Sequence, residues 1–147
     1  MESQFEKCNN AEAFFKILPP DWQQSIVPYW SSYKDSSTIY TITLGGKIVA
    51  GGIVLKKLPP EASQLDSNYK YLFEKGYQYI GFLFVKPEMR KHHLGSEWLT
   101  LLKKATSKQR FWLTIEEESL KYFYEKNGFT VVDESESEPK EWVMVYK

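Results

Sequence analysis

The chain has 147 residues with 19 Lys and Arg against 19 Asp and Glu, so its formal net charge is zero, and 42% of it is hydrophobic. That length suits a single domain over 1–147 with a sizeable buried core, while the charge balance gives no general attraction to nucleic acid or to an anionic membrane. The lone cysteine, Cys8, excludes an intrachain disulfide, and no apolar run is long enough to span a bilayer. Met1-Glu2-Ser3-Gln4 is polar and acidic, unlike a targeting segment, so a cytoplasmic protein is expected.

In chain order, Asn9 or Asn10 is suited to cap a short helix through Ala11, Phe14, Phe15 and Leu18, which Pro19-Pro20 stops. A second helix follows Asp21, with Trp22, Ile26, Tyr29, Trp30 and Tyr33 on one face and a bend or break at Pro28. Segments 38–44 and 47–55 are β-rich and flank Gly45-Gly46, a hairpin signature. Residues 56–64, with Pro59-Pro60, read as a loop, and 65–75 as a helix that Gly76 ends. Residues 77–85 are nearly all apolar or aromatic, as in a strand covered on both faces. Gly81 inside that strand marks a bulge or a close approach. A basic turn then leads into a helix whose apolar face is Leu94, Trp98, Leu101, Leu102 and Ala105, with Glu97, Lys103, Lys104 and Lys108 looking outward. A strand over 111–116, a helix from Ser119 that ends at Asn127-Gly128, a short strand over 130–132, an acidic loop over 133–141 and a closing strand over 142–146 complete the chain. This order predicts a mixed α/β sheet flanked by helices.

The turn aims a helix N-terminus, with its unpaired amides and partial positive charge, at whatever anion lies beyond the strand. Val85, Pro87, Arg90 and Gly95 in it match the pattern V-x-P-x-x-[QR]-x-x-G-x-[GA], with His93 where the first signature glycine usually stands. A second block follows in the right order: Phe111-Trp112-Leu113-Thr114-Ile115-Glu116, then Ser119-Leu120-Lys121-Tyr122-Phe123-Tyr124-Glu125-Lys126-Asn127-Gly128-Phe129. Together these blocks resemble the GNAT superfamily of N-acetyltransferases. The resemblance implies a central mixed, mostly antiparallel sheet whose middle strands splay to receive acetyl-CoA as co-substrate.

It also implies roles. The pyrophosphate of coenzyme A would meet the amides of Arg90, Lys91, His92, His93, Leu94, Gly95 and Ser96, and the pantetheine arm would bond to the backbone of Leu83, Phe84 and Val85. Tyr124 would protonate the departing thiolate, which suits a phenol, protonated at neutral pH. Where some members of the family place a glutamate this chain has Tyr79, and where an asparagine is common it has Glu117, between Glu116 and Glu118. Glu117 is therefore expected either to accept the proton of the attacking amine or to grip its cationic form, the plain alternative being a charge cluster that complements a helix dipole.

The acceptor would be a small-molecule or protein primary amine, walled by aromatics among Trp22, Tyr29, Trp30, Tyr69, Tyr71 and Tyr77 and drawn by Glu61, Asp66 and 116–118. No metal is expected, because adjacent His92 and His93 point apart and no further ligand is spaced nearby. The competing classes are a non-enzymatic acyl-CoA-binding regulatory module, and a nucleic-acid binder using Lys86, Arg90, Lys91, Lys103, Lys104, Lys108 and Arg110. Zero net charge argues against the second.

Overall fold

The computed structural model describes residues 2–136 and 138–147; Met1 and Ser137, which belong to the polar N-terminus and the acidic loop of the reading above, lie outside the described residues. The elements are β1 (Ser3–Lys7), α1 (Ala11–Phe15), α2 (Pro20–Ile26), α3 (Trp30–Tyr33), β2 (Ser37–Leu44), β3 (Lys47–Leu55), α4 (Gln64–Asn68), β4 (Tyr77–Val85), α5 (Leu94–Ala105), β5 (Arg110–Ile115), α6 (Glu118–Lys126), β6 (Thr130–Glu134) and β7 (Trp142–Tyr146). The strands form one seven-stranded sheet in the order β1-β2-β3-β4-β5-β7-β6. Among the described residues β4 and β5 make its one parallel pair, the other neighbours being antiparallel.

Local chemistry sets these boundaries. The Asn10 side chain accepts from the Ala13 amide at 3.3 Å and so caps α1. Pro20 opens α2, where its missing N–H would have had no partner, and Pro28 falls in a 3₁₀ turn that separates α2 from α3. Gly45 and Gly46 both hold positive φ, 60° and 80°, as a tight β2–β3 hairpin requires.

Each face of the sheet buries its own core. On one, α5 and α6 set Trp98, Leu99, Leu102 and Tyr124 against Ile42, Ala50, Ile80, Leu113 and Met144. On the other, Phe14 of α1, Ile26 of α2 and Leu72 after α4 cover Ile53, Leu55, Tyr79, Trp112 and Val143. A Cβ at Gly51 would stand 2.7 Å from Phe14, and one at Gly52 2.8 Å from Trp98, so bare backbone lets α1 and α5 lie close on β3 from opposite sides.

Several expectations are corrected, and one element is added. Ser3–Lys7 is a strand, hidden in the sequence because this edge strand is largely exposed and shows no apolar alternation. The helix expected over 65–75 is α4 followed by a 3₁₀ turn, Lys70–Phe73. The strand expected over 130–132 extends to Glu134, so the acidic loop is shorter. On α5, Leu99 is buried and Ala105 exposed, while Lys103 folds over the Tyr146 ring at 4.2 Å and donates to the Asn127 carbonyl; Glu97 also turns inward, its Oε2 buried.

The bulge also differs. Gly51 pairs with Phe84 but Ile53 pairs with Gly81, and the left-handed backbone there belongs to Phe82, φ 56°, rather than to Gly81. The extra residue shifts the alternation of β4, so that Tyr79, Phe82 and Phe84 share the α1 face while Ile80, Leu83 and Val85 share the α5 face.

Candidate active site

β4 and β5 pair at Tyr77↔Arg110, Gln78↔Phe111 and Tyr79↔Trp112, and at no later position. Beyond Tyr79, β4 runs on to Val85 and β5 to Ile115 without bonding to each other, which leaves strand edges facing across an opening in the middle of the sheet. Exposure agrees: residues 81–86 are all half-buried, although a central strand of a covered sheet is normally closed on both faces. An extended chain bearing amides can complete such edges as a strand would. Leu83, Phe84 and Val85 lie along this stretch, and Gly81 is at its start.

At the far end of β4 the chain makes a 3₁₀ turn, Pro87–His92, and then α5 begins with no side-chain cap. The Lys86 amide still donates to Val49 at 2.9 Å, which fixes the turn to the sheet. His93 stands at the junction in the left-handed region, φ 58° and ψ 29°. This explains why a glycine suits that position: the backbone enters α5 through a conformation that a Cβ disfavours. Gly95 has a different constraint. A Cβ there would come 3.0 Å from Phe123, so Gly95 lets α6 close onto the first turn of α5. Asn127 joins the same two elements by donating to Ser96 Oγ at 3.1 Å.

Arg90, Lys91, His92 and His93 are exposed around the turn. Arg90 does not reach outward freely: its Nε donates to the Val85 carbonyl at 3.1 Å and its guanidinium lies over the Phe84 ring. It braces the strand end. Among the described residues no group of three His, Cys, Asp or Glu is placed to hold a metal ion. A groove of about 470 Å³ lies to one side, lined by Lys7, Cys8, Lys47 and others, and touches the turn at Lys86.

Tyr124 lies on the α5 face, buried between Phe123 and Phe129, with ring centroids 5.0 and 5.4 Å away. Burial raises its phenol above the usual tyrosine range, so it is protonated at neutral pH. Glu116, Glu117 and Glu118 follow the end of β5 and are exposed. Glu118 pairs with Lys121 at 4.0 Å, while Glu117, at the N-cap of α6, makes no capping bond.

On the α1 face the aromatics divide. Trp22 stands edge-on to Phe82 and Phe84, centroids 6.1 and 5.6 Å away, and so meets the splayed half of β4. Trp30 instead packs on Phe15, Tyr77 is buried beneath Arg110, Tyr69 donates to Asp133 at 2.7 Å, and Tyr29 and Tyr71 are exposed. Glu61 accepts from Ser25 at 3.1 Å. Tyr79 ends in a polar cluster that sequence reasoning did not assemble, in which its hydroxyl lies 2.8 Å from Thr114 Oγ1 and Thr114 donates to Asp66 at 2.7 Å. The signal available was Ser63 three residues before Asp66, a capping pattern that placed Asp66 at the start of a helix without saying over which strand. Glu141 adjoins the cluster; burial raises its carboxyl above the usual range, Ser63 works against this, and the charges of Asp66 and Glu116 add to it.

Solved structures share this fold over almost the whole chain. The PaiA N-acetyltransferase from Thermoplasma acidophilum, in complex with coenzyme A, is 16% identical with a TM-score of 0.64, covering 100% of this chain and 99% of that one. The ribosomal-protein-S18-alanine N-acetyltransferase from Escherichia coli is 12% identical with a TM-score of 0.68, covering 99% and 93%. An acetyltransferase of the GNAT family from Staphylococcus aureus MU50 is 13% identical with a TM-score of 0.66, covering 99% and 98%. No curated protein sequence matches the chain. A family model described as acetyltransferase (GNAT) family matches residues 8–129, most of the sequence, and takes in both motif blocks along with the splayed strands and the turn between them; the chain belongs to the GNAT family of acetyltransferases.

Proposed function

We propose that this chain moves an acetyl group from acetyl-CoA to a primary amine, of a small molecule or a protein, by direct attack of the amine on the thioester. The observation that carries this reading is the opening between β4 and β5, which ends at the uncapped first turn of α5. The residues suit coenzyme A. Leu83, Phe84 and Val85 would pair with the pantetheine amides, and the amides of 90–96 would receive the pyrophosphate, favoured by the dipole of a twelve-residue helix and by exposed Arg90 and Lys91.

Tyr124 is proposed as the acid that protonates the leaving thiolate. Its raised range does not count against it, since the apolar surroundings that disfavour a phenolate disfavour a thiolate as well. Glu117 is proposed to grip the ammonium form of the acceptor, a role its exposed and uncapped carboxylate supports. No covalent enzyme intermediate is needed, and Cys8 lines the lateral groove rather than the opening. A cytoplasmic setting belongs to the same reading and fits a free thiol at Cys8.

Calorimetry tests the coenzyme half directly. Acetyl-CoA should bind saturably at micromolar concentrations, and Lys91→Glu, on an exposed position of the turn, should weaken binding roughly tenfold by reversing one charge beside the phosphates. An absence of binding by the wild-type protein would overturn the assignment.

A further inference from the structure

Asp66 is 5% exposed, yet among the described residues no Lys, Arg or His is recorded in an ion pair with it. A buried carboxylate without a cation is destabilising unless hydrogen bonds replace what water supplied. Its two oxygens divide that task. Oδ2 accepts from the Ser63 amide at 3.0 Å and the Ser63 hydroxyl at 3.1 Å, closing the capping box of α4. Oδ1 has nothing to do with the helix: it accepts from Thr114 Oγ1 at 2.7 Å, with the Tyr79 hydroxyl at 3.4 Å. A cap alone explains the first oxygen and leaves the second unexplained.

The second oxygen bonds to a residue that lies just past the last paired rung of β4 and β5. Tyr79 is on the last paired rung between β4 and β5, and Thr114 lies two residues past that rung on β5, so their hydroxyls meet across the space where the strands part. Because Thr114 gives its proton to Asp66, the 2.8 Å contact with Tyr79 is one in which Tyr79 donates. Burial above all, and then the Asp66 charge, push the Tyr79 hydroxyl well above its usual range, so it holds its proton and orients Thr114. Thr114 is half-buried and retains a lone pair for a group in the opening. Tyr124 belongs to the opposite face of the sheet.

We propose that Asp66 is the proton acceptor for the attacking amine, reached through the Thr114 hydroxyl, with Tyr79 as the positioning residue. The inference rests on the acetyl-transfer reading above. In it the ammonium passes one proton to Thr114 Oγ1 as Thr114 passes its own to Asp66, which later releases it to solvent. The freed nitrogen lone pair forms the N–C bond as the C–S bond breaks; the thiolate takes the Tyr124 proton, and the second proton of the amine restores Tyr124. The ionisable groups that interact with Asp66 are Tyr79 from β4 and Glu141 before β7; Glu116 after β5 acts in turn on Glu141, which is the rival base.

Ethylamine and 2,2,2-trifluoroethylamine form a pair of similar size, the first cationic and the second largely neutral at pH 7, so only the first needs Asp66. Asp66→Asn should lower kcat/KM for ethylamine by about a hundredfold or more and for trifluoroethylamine by less than about tenfold. Thr114→Val should reproduce that selectivity and Thr114→Ser should restore the wild-type ratio. Equal losses on both amines, or a selective loss in Glu141→Gln instead, would overturn the relay. Acetyl-CoA calorimetry on the same proteins separates the two readings: a wild type that binds none fails the transferase assignment, whereas normal binding with unselective losses fails Asp66 alone.

Discussion

His93 enters α5 at φ 58°, where an L residue with a Cβ is disfavoured by roughly 1–2 kcal/mol. Glycine would remove that penalty but add chain entropy to the unfolded state, of order 0.5–1 kcal/mol. The difference favours glycine, so His93→Gly should raise stability by about 0.5–1 kcal/mol in urea denaturation. A less stable variant would mean that the imidazole makes a contact worth more than the strain. The position was readable from the sequence as a departure from a motif, but its physical reason was not: a pattern records which residue stands at a site, whereas φ must be seen. Asp66 shows the reverse case. Its acidity was plain in the sequence, and only the fold of α4 over β5 reveals that one of its oxygens reaches Thr114.

Among the elements, β3 controls how closely the two layers of helices approach the sheet. A Cβ at Gly52 would stand 2.8 Å from the Trp98 ring, and Trp98 Nε1 donates to the Tyr40 carbonyl at 2.9 Å, so moving the indole away would strain a buried hydrogen bond. Gly52→Ala should therefore destabilise by about 1–3 kcal/mol, the usual range for overpacking a core, read as a lower midpoint in chemical denaturation. A neutral result would show that α5 can slide on the sheet. Two strands with strong apolar runs were legible residue for residue: 77–85 and 142–146 coincide with β4 and β7. Elements held by pairing alone were not, because β1 alternates no apolar residues, and α4 breaks into a 3₁₀ turn where the sequence keeps a helical pattern. The bulge in β4 was legible as an irregularity and misplaced by one residue, since the strain falls on Phe82, whose ring packs against Trp22, instead of on the neighbouring glycine.

At the scale of the whole molecule, the two proposed steps fall on opposite faces of the sheet. The α5 face carries Tyr124, proposed to protonate the thiolate, and the α1 face carries Trp22, Thr114 and Asp66, the last two proposed to deprotonate the amine. Such a division predicts separable kinetics. Tyr124→Phe removes only the hydroxyl and keeps the ring between Phe123 and Phe129, so kcat should fall roughly ten- to a thousandfold with acetyl-CoA affinity nearly unchanged. Glu117→Gln should instead raise KM for a cationic amine and leave KM for trifluoroethylamine alone, because an exposed carboxylate holds charge and gives the neutral amine nothing. In the double variant the two effects should multiply, since each residue acts on a different partner in the reaction. A Tyr124→Phe enzyme with unchanged kcat would reduce that residue to core packing, and a double variant whose kcat/KM for a cationic amine is no lower than that of the weaker parent would place both residues in one step.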